Sequence, residues 1–201
     1  MSTPFSLDDR ARAALFTEAR SNVHFADREV TTETIRDVWE LIKWGPTGNN
    51  TVPMRLVIAA SVEARAAVIA NALEGNRAKL ENAPLLLVAA RDERFHDTFT
   101  VTGGGSSSTY ERLESDPDTR AAMSHAGALL QAGYLIIGLR AAGLAVRPYG
   151  GFDKAGMDDA LLAGTSWRSE VLFGVGYPAA DDHGAGERRG RLGADQAVMV
   201  A

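Results

Sequence analysis

Arginines near the two ends of the chain carry the first chemical signal. Arg20-Ser21 stands close to the start, and Arg188-Arg189-Gly190-Arg191 close to the end. Guanidinium groups bind phosphate through forked, charge-assisted hydrogen bonds, and a serine hydroxyl adds a donor. Two such clusters could close on one phosphate; spacing alone also allows solvated surface arginines. Pro46-Thr47-Gly48-Asn49-Asn50 offers the mixed donors and acceptors that the edge of a heteroaromatic ring requires, or forms an ordinary turn. Pro148-Tyr149-Gly150-Gly151-Phe152 could bring bare backbone N–H groups against a ligand, because glycine permits close approach, or simply reverse the chain before a helix.

Other chemistries lack their residues. There is no cysteine, which removes disulfides, thiolate metal sites and cysteine nucleophiles. His24, His96, His125 and His183 show no metal-ligand spacing, so no metal site is expected. No Gly-x-Ser-x-Gly elbow exists for a serine hydrolase, and no Gly-x-Gly-x-x-Gly follows a strand. Gly103-Gly104-Gly105-Ser106-Ser107-Ser108 lacks the Gly-Lys-Ser/Thr ending of a phosphate loop and reads as a flexible loop or lid. Trp39 and Trp44 read as core or interface residues.

Elements must position these groups. Ser6 and the acids Asp8 and Asp9 predict a helix start, with the helix ending near residues 20–22. Thr31-Thr32-Glu33 begins a second helix, ended by Gly45-Pro46. Residues 55–60 read as a buried strand and 63–73 as a helix. Residues 84–90 are a continuous apolar run, expected as an interior strand covered on both faces. Residues 100–109, rich in Gly, Ser and Thr, predict a mobile loop. Residues 119–142 predict one long helix, apolar nearly all round in its second half and therefore buried, with Gly143 as its C-cap. A short extended segment at 146–149, a helix from Asp153 to about residue 163 and a strand at 169–176 complete the pattern. Residues 178–193 predict a turn-rich tail. Strands interspersed with helices suggest α+β or α/β.

The 201 residues suit a single domain. Hydrophobic residues make up 45% and charged residues 23%, as in an ordinary globular protein. Lys and Arg number 21 against 26 for Asp and Glu, a net charge of -5, which argues against a general nucleic-acid binder. The first ten residues do not resemble a signal peptide. The longest apolar run, within residues 126–139, is interrupted by Gln131 and shorter than the ~20 residues of a membrane span. The expected location is the cytoplasm.

The order of these pieces resembles the FMN-dependent nitroreductase superfamily, and within it the branch of malonic semialdehyde reductases (3-hydroxypropanoate dehydrogenases). The resemblance covers residues 7–192. It is strongest in Leu15-Phe16-Thr17-Glu18-Ala19-Arg20, in Lys43-Trp44-Gly45-Pro46-Thr47 and over residues 131–144; Gly75-Asn76 and Gly151-Phe152-Asp153 also match. It implies one FMN-binding domain over residues 1–201. The implied fold is α+β, with a mostly antiparallel central sheet flanked by helices and a long buried central helix. It also implies a homodimer, with that helix in an apolar interface and two FMN sites between subunits. Arg20 and Ser21, with adjoining Asn22, would hold the FMN phosphate and ribityl chain together with Arg189 and Arg191. Thr47 and Asn50 would lie near the ring edge or ribityl chain, the second as Asn50 of the partner subunit. Gly150 and Gly151 would set N–H groups near flavin N5 and O4.

The implied activity is ping-pong transfer of hydride from NAD(P)H through flavin N5 to a small organic acceptor, such as a semialdehyde, nitro compound or quinone. No catalytic side chain is required, because the cofactor carries the chemistry, and neither nucleic acid nor membrane is a partner. Two alternatives stay open: a flavin dehydrogenase that oxidises an organic substrate with oxygen as acceptor, and a non-catalytic flavin-binding dimer. The chain departs from the family pattern in three places. Val52-Pro53-Met54 stands where Gln-Pro-Trp is common, Val23 stands at a commonly basic position, and residues 100–109 are less aromatic than in that branch.

Overall fold

A computed structural model describes residues 5–22, 24–180 and 186–201. Helix α1 (Asp9–Arg12) runs into a π-helical turn, Ala13–Thr17. Its cap is Asp8 rather than Ser6: the Asp8 carboxylate accepts from the Ala11 N–H at 2.7 Å. The helical segment ends at Thr17, short of the expected 20–22, so Arg20-Ser21 sits in irregular chain. Helix α2 (Thr32–Ile42) starts as expected, with Thr31 Oγ1 accepting from the Thr34 N–H at 3.2 Å.

Strand β1 (Met54–Ala59) and helix α3 (Val62–Asn71) follow. Helix α4 (Glu74–Glu81) was not expected. Only Leu80 of its eight residues is buried, so the sequence there carries almost no apolar periodicity. Strand β2 (Leu85–Asp92) is next. Residues 100–109 are only partly a loop, irregular at 103–106 and helical on either side. A 3-10 turn (Phe95–Thr98) continues into α5 (Phe99–Thr102), which stops at Gly103 with φ +65°. Ser106 then caps α6 (Ser107–Ser115), accepting from the Thr109 N–H at 3.3 Å. The serines that suggest a loop are serving as cap and first turn, and buried Phe95, Phe99 and Leu113 anchor the excursion.

Helix α7 (Pro117–Ala141), strand β3 (Ala145–Tyr149), helix α8 (Lys154–Leu161, capped by Asp153), strand β4 (Trp167–Gly176) and a short α9 (Ala194–Ala197) complete the described residues. The strands form one antiparallel sheet in the order β1-β2-β4-β3. Leu85, Leu87 and Ala89 of β2 pack in the core with α2 and α7, whereas Leu86 and Val88 pack with Val68, Leu80 and Met157 from α3, α4 and α8. Period-two alternation thus feeds two cores, and the apolar run is an interior strand covered on both faces.

Helix α7 is the expected long central helix. One face is buried (Gly127, Ala128, Gln131, Ala132, Leu135, Gly138, Leu139), but the other is open, with Leu129 41% and Leu130 46% exposed. Its 25 residues are long and apolar enough to cross a membrane by length and composition, more than the interrupted run suggested. Instead it packs on α2 and on the sheet. A Cβ at Gly127 would lie 2.7 Å from Pro53 Cγ, and one at Gly138 would fall on Ile42 Cγ2. Close packing offsets the ~1 kcal/mol that each glycine costs in a helix. Gln131 Oε1 accepts from the buried Met54 N–H at 2.9 Å, tying α7 to β1.

Candidate functional site: an arginine cavity joined from both chain ends

The chain after β4 returns to the segment after α1. Phe25 and Pro178 form an isolated β-bridge, the Ala26 N–H donates to Tyr177 O at 2.9 Å, and the Arg28 guanidinium stacks 3.6 Å from the Tyr177 ring centroid. This clamp brings residues more than 160 positions apart within reach. Arg20 donates to Gly186 O, and Arg188 donates to Ala19 O at 3.1 Å. Between them lies a cavity of about 390 Å³, lined by Arg20 and Ser21 from the first cluster, by Arg188, Arg189 and Arg191 from the second, and also by Arg140 and Arg147. A neighbouring, more apolar cavity of about 340 Å³ shares Arg20 and Arg140 and is bordered by Asn22, Leu144 and Val146.

The electrostatics of the first cavity are lopsided. Six guanidinium groups face one carboxylate, Glu187. Arg94, Arg91 and Arg55 elsewhere have carboxylate partners within 4 Å, but the six cavity arginines make no such pair among the described residues. Arg140 Nη1 donates to Leu15 O at 2.8 Å, while buried Arg140 Nε and Arg147 Nη1 have no partner. Burial, then the neighbouring Arg188 charge, pushes the Arg140 guanidinium below its ordinary value. Six cationic side chains around a single carboxylate favour an anion in the cavity. The residues present therefore fit a phosphate.

Sequence reasoning overlooked Arg140 and Arg147. Arg140 is the single charged residue between His125 and Arg147. A lone cation closing an apolar helix, and another inside a five-residue strand, were the available signals.

The remaining expected residues lie elsewhere. Thr47 Oγ1 accepts from the Val52 N–H at 3.1 Å, and Asn50 Nδ2 donates to Thr102 O at 2.6 Å. The loop is strained: Asn49, Asn50 and Val52 hold φ of 52°, 52° and 41°, unusual for non-glycine residues and most of all for a β-branched one. Neither Thr47 nor Asn50 lines the arginine cavity of the same chain. Gly150 and Gly151 follow β3, about 10–13 Å along the chain from Arg147 at ~3.3 Å per residue. The Gly151 carbonyl accepts from the Leu73 N–H at 3.1 Å and from Asn76 Nδ2 at 3.0 Å. Val23 and His183 lie outside the described residues.

A second polar centre is structural. Glu170, with a side chain 2% exposed, accepts from Arg91 Nη1 at 2.5 Å and Lys154 Nζ at 2.8 Å, with His125 Nδ1 at 2.7 Å. Burial alone would raise its pKa; hydrogen bonds with Lys154, His125 and Arg91 outweigh it and hold the carboxyl below its ordinary value.

This fold has known counterparts. The family model described as "Nitroreductase family" matches residues 17–177. A Streptomyces coelicolor protein named "Putative NADH dehydrogenase/NAD(P)H nitroreductase" is 38% identical, over 94% of this chain and 92% of that one. Among solved structures, an Exiguobacterium sibiricum "putative nitroreductase in complex with FMN" superposes with TM-score 0.74 at 17% identity, covering 99% of this chain and 100% of the other. A Staphylococcus epidermidis "putative NAD(P)H:FMN oxidoreductase" superposes with TM-score 0.78 at 16% identity, covering 99% of each. The chain belongs to the nitroreductase family.

Proposed function

We propose that this protein is an FMN-dependent oxidoreductase that takes hydride from NAD(P)H and passes it to a small organic acceptor. The observation that carries this reading is the arginine cavity, in which six guanidinium groups face one carboxylate. Family membership and the names of the relatives support it. When bound, FMN supplies the hydride-accepting and hydride-donating centre. The chain's own residues bind and orient. Arg20, Ser21, Arg189 and Arg191 hold the phosphate through charge-assisted hydrogen bonds, and Asn22 borders the ribityl path. Gly150 and Gly151 present N–H groups at the ring, where a side chain would obstruct it. No side chain need act as acid, base or nucleophile.

The active form in this reading is a homodimer. The open face of α7, with Leu129 and Leu130 exposed, is the apolar surface a second copy would cover. Thr47 and Asn50 then serve the ring of the opposite site, in keeping with their distance from the arginine cavity of their own chain. The absence of cysteine suits a reducing compartment such as the cytoplasm. The acceptor is a semialdehyde, nitro compound or quinone, and the resemblance through Lys43-Trp44-Gly45-Pro46-Thr47 puts malonic semialdehyde on the panel to be assayed.

The test begins with release and identification of the bound chromophore. Stopped-flow mixing with NADH and with NADPH follows, then an acceptor panel. Rapid bleaching of the flavin and turnover with an acceptor are expected. Slow bleaching with oxygen-dependent substrate oxidation would replace this reading by a dehydrogenase. Bound flavin without turnover would make the protein a flavin-binding dimer.

A further inference from the structure

We infer that His125, oriented by the buried Glu170 carboxylate, is the proton donor to the organic acceptor. This rests on the flavin reading above, which itself requires no acid, and adds a residue that no motif singled out.

Placement comes first. The strained loop at residues 49–52 leads into β1 at Met54, which pairs with Arg91 of β2, and Arg91 pairs in turn with Arg168 of β4. Strand β3 leaves its pairing at Tyr149, opposite Leu172, and Gly150-Gly151 follow. One end of the sheet therefore collects the strained loop, the glycine pair assigned to the ring, and Glu170, two positions from Leu172. Helix α7 crosses this same end. The Gly127 Cα faces Pro53 so closely that a Cβ would lie 2.7 Å from Pro53 Cγ, and His125 is two residues earlier. Lys154, three residues after Gly151 and so within about 10 Å of it along the chain, reaches Glu170 at 2.8 Å.

Orientation is the second observation. Glu170 Oε1 lies 2.7 Å from His125 Nδ1. The Glu170 side chain is 2% exposed and its carboxyl is held ionised at neutral pH, so it can only accept. The Nδ1 proton is thereby fixed toward Glu170, and Nε2 faces the opposite way. The His125 side chain is half-exposed, and its Nε2 has no protein partner among the described residues. The charged groups around the imidazole are Glu170 on β4, Arg91 on β2 with Glu93 beside it, and Lys154 on α8. Arg91 and Lys154 already compensate Glu170, so a third partner is not needed to neutralise it. An imidazole anchored on one nitrogen by a carboxylate and open on the other is what proton transfer at neutral pH requires.

The step balances with the hydride that NAD(P)H supplies in the proposed function. Hydride reaching a carbonyl carbon leaves negative charge on the oxygen. The His125 Nε2–H bond breaks, the O–H bond of the alcohol forms, and the imidazolium becomes neutral imidazole. Glu170 keeps its charge throughout. Water reprotonates the half-exposed ring before the next turnover.

The test is single-turnover reoxidation of NAD(P)H-reduced enzyme by a semialdehyde, by a nitroarene and by ferricyanide, which takes an electron and no proton. His125→Gln, which keeps a donor toward Glu170, and His125→Phe should both slow the organic acceptors about hundredfold, the low end for general acid catalysis. Ferricyanide reoxidation, flavin affinity and flavin reduction should stay within twofold of wild type. The wild-type rate with an organic acceptor should decline as rising pH removes the imidazolium, and both variants should be flat. A readout independent of turnover is NMR of protein labelled with nitrogen-15 histidine. The His125 Nδ1 proton should persist in wild type and be lost from that position in Glu170→Gln, and the His125 signals should shift when FMN is added. Organic-acceptor rates within threefold of wild type in both variants overturn the inference. So do equal losses with ferricyanide, which would mark a structural role, and His125 signals indifferent to FMN. Protein that binds no flavin, or whose flavin NAD(P)H does not bleach, overturns the functional reading and this one with it. Flavin that binds and bleaches, with variants reoxidised as fast as wild type, overturns this inference alone.

Discussion

Arg20 and Arg191 reach the cavity from the outside, where solvent competes for their donors. Arg20→Ala and Arg191→Ala should therefore each weaken FMN by about 1.5 kcal/mol, the low end for a charge-assisted hydrogen bond, measured by fluorescence titration. Gly151 is limited by space. A Cβ there would sit 2.9 Å from Leu73 Cδ1 and 3.1 Å from Asn76 Nδ2. Gly151→Val should lower stability by about 1–3 kcal/mol through overpacking and reduce turnover further by crowding the ring; urea unfolding and steady-state NAD(P)H oxidation separate the two effects. At this scale the sequence was legible at Arg20-Ser21 and the tail, whose arginines line one cavity. It was opaque at Arg140 and Arg147, because a single arginine in an apolar stretch has no spacing to betray its use.

Elements reproduce the sequence pattern wherever burial is regular. Strand β2 was readable because both faces are covered, so its positions 85–90 are all apolar. Helix α2 was readable because Thr31 caps it and Ile35, Val38 and Ile42 repeat with helical spacing. Helix α4, with one buried residue, and α5–α6, written in glycine, serine and threonine, were not. Their helicity comes from tertiary anchors, Leu80 in one case and the Phe95, Phe99 and Leu113 cluster in the other. The link between α7 and β1 is a prediction at this level. Gln131→Leu strands the buried Met54 N–H and should cost about 1–3 kcal/mol, read from the midpoint of urea unfolding with the slope unchanged.

The whole molecule joins these parts through charge and apolar surface. Glu170 links β4 to β2, α7 and α8 through Arg91, His125 and Lys154. Its folded-state pKa lies below the ordinary 4.5. Its contribution is therefore fully present above that value and lost as pH falls through the lower folded-state one. Wild type should lose stability steeply in that acid window. Glu170→Gln should be less stable near neutrality, because it leaves Arg91 partly buried beside a neutral group, and should show a flatter decline in acid; unfolding free energies measured across pH check both. The open face of α7 makes a second prediction at this scale. Leu130→Glu should shift sedimentation from dimer toward monomer and reduce flavin retention, since the proposed site draws Thr47 and Asn50 from a second copy.

What the linear chain determined alone was the kind of protein: an α+β domain with an interior apolar strand, a long central helix, and arginines suited to phosphate at both ends. Those features are local, a matter of period, cap and residue type. Only the tertiary structure decided that the ends meet, through the Phe25–Pro178 bridge and the stacking of Arg28 on Tyr177. Only it revealed two further guanidinium groups, those of Arg140 and Arg147, lining the same cavity. Which charges share a cavity, and which lack a partner, depends on contacts between residues more than a hundred positions apart, and no spacing along the chain encodes that.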